Sequence, residues 1–176
     1  MEIVTKMCLL FLEAVAVIGA ILSLIVSIMV FFFMVGLILV PGAQGDFLQQ
    51  IGAPKSFQVS TGILLFELLV GLIGALCLMV ICRALHHIIS NIGRQTYFVP
   101  ENLAELRQIL VAISTLVMTE VVSGVVFQAA HLASNQILVN YPTSLFSDFM
   151  VFATIFVVYV VFKRGLALQV DSDQMI

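Results

Sequence analysis

The chain alternates four long apolar runs with short polar connections, and the length of each run sets what it forms. A helix rises about 1.5 Å per residue, so about 20 apolar residues cover a hydrocarbon core roughly 30 Å thick. Runs from Met7 to Val40, Thr61 to Cys82, Gln108 to Leu132 and Leu145 to Phe162 qualify as spans, the last being the shortest. The first ends at Pro41-Gly42, a pair that does not continue a helix comfortably. Beyond Cys82 the pattern stays helical: Leu85, Ile88, Ile89 and Ile92 recur on one face, and Gly93 follows as a stop. Pro100 suits a first helical turn, and Leu103, Leu106 and Leu110 repeat at helical spacing into the third run. The pattern therefore predicts an all-α integral membrane four-helix bundle forming one domain over 1–176. A helical hairpin is expected to project from the membrane between the second and third helices.

Composition strengthens this reading. Apolar residues make up 62% of the 176 positions and charged residues 10%, and the mean hydropathy is +1.21. A soluble chain of this size cannot hide so much apolar surface, so the lipid bilayer is its solvent. The first run is too long for the apolar core of a secretory signal and has no small-residue cleavage pattern, so it reads as a retained anchor.

Lysine and arginine in the short segments beside spans resist translocation and set orientation. Lys6, Arg83, Arg94, Arg107, Lys163 and Arg164 fall on one side, and Lys55 alone falls on the other. Both termini and the hairpin are thus expected in the cytoplasm, with segments 41–60 and 133–144 outside. The net charge of −3 and the scattered basic residues argue against direct nucleic-acid binding. Cys8, Cys77 and Cys82 have no CxxC spacing and read as small buried apolar residues.

An ionisable group inside a span costs about 2.5–3.5 kcal/mol on insertion scales, so each one needs a reason to be there. Glu13 and Asp148 lie near the interfaces and read as solvated. Glu67 is expected roughly 9 Å below the outer boundary and Glu120 roughly 12 Å below it, at matching depth on helices joined by a short connection. With Asp148 and His131 nearer the mouth, the four form a candidate intramembrane acid site that holds a proton, a shared cation or interhelical hydrogen bonds. His86 and His87 are adjacent in a helix and point to different faces, which disfavours a two-histidine metal site. Ala16/Ala20 and Gly71/Ala75 have the small-xxx-small spacing that brings helix backbones close, and both read as packing within the chain. No cofactor or metal motif is present, and no catalytic signature either, so the chain reads as non-enzymatic.

The stretch Phe98-Val99-Pro100-Glu101-Asn102-Leu103-Ala104-Glu105-Leu106-Arg107-Gln108-Ile109 resembles the cytoplasmic signature of domain-of-unknown-function family 2975. The segment Phe162-Lys163-Arg164-Gly165-Leu166-Ala167-Leu168-Gln169, with Asp171 and Asp173 behind it, is similar to that family's closing motif. The tail departs from the more glutamate-rich ending expected there. The resemblance implies a multi-pass protein of the bacterial cytoplasmic membrane, of a kind often encoded beside a helix-turn-helix regulator.

On that basis the expected function is regulatory or of peptide-immunity type, exerted through a protein partner. The expected docking surface on the hairpin and tail comprises Arg94, Phe98, Glu101, Asn102, Arg107, Lys163 and Arg164. Two alternatives stay open. One is an accessory subunit of a larger membrane complex. The other is a small cation- or proton-coupled transporter, which the segment around Glu13 superficially suggests; the chain's length and its marked charge bias oppose it.

Overall fold

The computed structural model describes residues 2–40, 45, 60–94, 96–129 and 141–173. These residues form four long helices: α1 (Glu2–Leu39), α2 (Thr61–Gly93), α3 (Pro100–Ala129) and α4 (Tyr141–Asp173). Each carries a stretch long and apolar enough to cross a membrane, at Lys6–Leu39, Thr61–Gly93, Pro100–Val126 and Phe146–Leu168. The chain is therefore a multi-pass, all-α membrane protein.

Helix α2 begins at an N-cap serine, Ser60, whose hydroxyl accepts from the Ile63 amide, and it runs unbroken to Gly93. Its 33 residues measure about 50 Å, so it extends well past a hydrocarbon core of roughly 30 Å. Pro100 opens α3, where its missing N–H costs nothing. The hairpin read from the sequence is thus formed by the end of α2, residues 94–99 and the start of α3. Helix α4 is longer than expected: its apolar stretch is the shortest of the four, but the helix continues through Lys163-Arg164 to Asp173. No glycine or proline stops it there except Gly165, which is tolerated inside the helix.

Extensive packing among the described residues joins each helix to the next along the chain, α1 to α2, α2 to α3 and α3 to α4. On α1 the seam is a run of small side chains, with Ala16, Ser23 and Ser27 buried. Both serine hydroxyls donate to the carbonyl one turn back, at Gly19 and Ser23, so neither carries an open hydrogen bond into the interface. The Sγ of Cys82 sits so close to Gly19 that an added Cβ would lie 2.9 Å from it. Only glycine permits that approach. The other faces of α1, including Phe11, Phe31 and Phe32, stay exposed, as lipid-facing residues should.

The buried core lies elsewhere. Ala84 and Ile88 of α2 interlock with Leu106, Ile109 and Ile113 of α3, and Phe152, Ile155, Val158, Tyr159 and Phe162 of α4 pack against them. Two details correct the sequence reading. Gly71 of α2 is exposed with nothing near it, and the packing glycine is Gly74, facing Leu116. Cys8, expected to be buried, is exposed on α1.

Candidate functional site

The helices run antiparallel, which gathers Lys6, Arg83, Arg94, Arg107, Lys163 and Arg164 towards one end of the molecule, called the basic end below. Among the described residues, an organised polar cluster lies there, around Asn102. Its side chain is fully buried. Its Oδ1 accepts from Asn91 Nδ2 at 2.7 Å, and its Nδ2 donates to the Thr96 carbonyl at 3.2 Å and the Tyr97 carbonyl at 2.8 Å. Thr96 completes the knot by donating from Oγ1 to the Asn91 carbonyl at 2.8 Å. The Arg94 and Thr96 amides also turn back onto the last carbonyls of α2. Carbonyls left open at a helix end are costly away from water, and one asparagine from the start of α3 helps satisfy the turn that leads to it. Asn102 was expected on a partner-facing surface. It is instead the buried clasp of the hairpin.

Phe98 leaves this turn and lies across α4. Its ring centroid is 5.4 Å from that of Phe162, with the planes at 52°. A Cβ added at Gly165 would come within 2.6 Å of the same ring, so glycine provides the seat. The two short motifs, one at the start of α3 and the other late in α4, therefore meet in space. Around the junction Arg94, Glu101, Arg107, Lys163 and Arg164 are exposed, and Phe98 keeps 41% of its surface accessible.

One turn deeper, the adjacent histidines reach different neighbours, as their different faces require. His86 Nδ1 lies 3.6 Å from Glu13 Oε1 on α1, and His87 Nδ1 lies 2.8 Å from Glu105 Oε1 on α3. The hydrogen bond of His87 ties α2 to α3, while His86 only approaches α1 at beyond hydrogen-bond distance. Glu13, expected to be merely solvated, is half-buried in this pairing. Apolar periodicity alone does not single out Glu105, but the antiparallel register of the hairpin places it opposite His87. No group of three His, Cys, Asp or Glu side chains suited to a metal ion occurs among the described residues.

Towards the opposite end, Ser123 of α3 donates from Oγ to Glu67 Oε1 of α2 at 2.7 Å. Ser123 is buried, and Glu67 and Glu120 are half-buried. Glu120 precedes Ser123 by three residues, so it stands about 4.5 Å along the helix from the level of Glu67. Asp148 is half-buried near the start of α4. His131 lies outside the described residues, as do most of segment 41–60 and all of 133–140. The serine that carries the Glu67 contact went unremarked in the sequence, because a serine in an apolar helix more often bonds its own backbone.

Fold and polar layers define a multi-pass helical membrane protein with, among the described residues, a hydrogen-bonded cluster at the end that carries six of its seven basic residues. No curated protein and no solved structure matches the chain. A family model does match: residues 40–176 fit the family described as protein of unknown function (DUF2975), which takes in α2, α3 and α4, and the chain belongs to that family.

Proposed function

We propose that this chain is a non-enzymatic regulatory or peptide-immunity protein of the bacterial cytoplasmic membrane, acting through a soluble protein partner at its basic end. That end faces the cytoplasm in this reading, because it holds six of the seven lysines and arginines. The observation that carries the reading is the junction of the two motif segments, with Phe98 seated on Phe162 and Gly165. A partner docked over Arg94, Glu101, Lys163 and Arg164 touches both the hairpin and α4, and its affinity depends on how the two are placed. A change in helix packing within the membrane then becomes a change in binding outside it.

A comparison of proteins captured by the purified full chain and by its Arg94→Gln/Lys163→Gln/Arg164→Gln variant tests this. The expected outcome is that a partner retained by the parent is lost from the variant, while the variant inserts and unfolds as the parent does. Retention of every partner by the variant rejects this surface.

A further inference from the structure

An open groove of about 730 Å³ runs along α3 between α2 and α4. It reaches from Pro100 to Thr115, about 22 Å of helix. Leu76, Cys77 and Val80 of α2 wall its deeper part, over Val111 and Thr115, and Arg107 stands nearer the basic end. Val111 is 59% exposed, so the groove is open along its side to the surrounding solvent, which at this depth is lipid. No acidic residue lines it. Among the described residues the Arg107 guanidinium makes no ion pair with a carboxylate.

We propose that this groove seats one anionic phospholipid from the leaflet on the basic side, its phosphate on Arg107 and an acyl chain along the apolar trough. Arg107 and the deeper part of the groove match the two parts of that molecule. Arg107 is the last charged residue of α3 before an uncharged run that lasts to Thr119, which sets it at the level of lipid phosphates in this reading, and a guanidinium presents paired N–H donors that suit phosphate oxygens. Beyond it and the neighbouring Gln108, the walls are mainly apolar for a further two turns, and the Thr115 hydroxyl is spent on the Val111 carbonyl, surroundings an acyl chain tolerates. A basic pocket between membrane helices is a recognised setting for head-group binding. This proposal takes Arg107 out of the partner surface on which the sequence places it, leaving that surface centred on Arg94, Lys163 and Arg164.

The test uses the purified full chain loaded with equal phosphatidylglycerol and phosphatidylcholine, with bound lipid counted by native mass spectrometry. One cation near the surface favours an anionic lipid by about fivefold, and the parent should show a preference of that order. Arg107→Gln should abolish it, and Thr115→Phe, which keeps the charge but fills the trough, should weaken retention of the lipid. Arg83→Gln removes a cation at similar depth outside the groove and should leave the preference intact. Excess inorganic phosphate should not displace the lipid. The proposal is overturned if Arg107→Gln or Thr115→Phe binds as the parent does. It is equally overturned if Arg83→Gln loses as much as Arg107→Gln, which would indicate general surface attraction, or if phosphate alone empties the site.

Discussion

Two polar side chains within helices, Asn102 and Glu67, meet the cost of burial in different ways. Asn102 uses its acceptor and both amide hydrogens in three short bonds, so its replacement leaves several groups in the hairpin without partners. Asn102→Ala is expected to lower stability by about 2–3 kcal/mol. Glu67 depends on one bond in which it is the acceptor. An amide oxygen serves that bond equally well, so Glu67→Gln should cost under about 1 kcal/mol, the usual scale of one interhelical hydrogen bond in a membrane. Denaturant-induced unfolding of the two variants in micelles, followed by helical signal, checks the order. A Glu67→Gln loss equal to that of Asn102→Ala would mean that the carboxylate has a second structural role.

At the scale of elements, the hairpin and α4 are coupled through a ring set on a glycine. Gly165→Ala puts a methyl where the Phe98 ring now lies and should destabilise by about 1–3 kcal/mol through overpacking. In a Phe98→Ala background the same change should be neutral or stabilising by up to about 1 kcal/mol, because the clash is gone and alanine favours the helix, and a double-mutant cycle measures the difference. Additive losses would show that Phe98 does not rest on Gly165. The elements themselves were readable from periodicity: the extension of α2 to Gly93 and the start of α3 at Pro100 follow from apolar spacing and from proline's missing N–H. The end of α4 was not, since hydropathy reports where the apolar run stops and a helix continues into water wherever its residues permit. The seat at Gly165 and the Ser123 bond escaped for a different reason. Both depend on which face of one helix meets another, and that is fixed by packing between segments far apart in the chain. The histidine pair lay between these cases: its two directions were legible, and its two glutamates were not.

For the whole molecule, the sided distribution of basic residues leads to a direct test of orientation. In a chain whose Cys8, Cys77 and Cys82 have been replaced, a cysteine at exposed Gly93 should be shielded from an impermeant thiol reagent added to intact cells. One placed in segment 41–60 should react, and the reverse pattern would invert the proposed topology. The order of packing has a further consequence, in time. Each helix packs mainly on a neighbour in the chain, and for α2, α3 and α4 the main partner is the helix already made, so the molecule can assemble as it leaves the ribosome. At about 5–20 residues per second, α1 waits only seconds for α2. Contacts of this local kind favour rapid folding, and they leave newly inserted helices little opportunity to pair with the wrong neighbour in a crowded membrane.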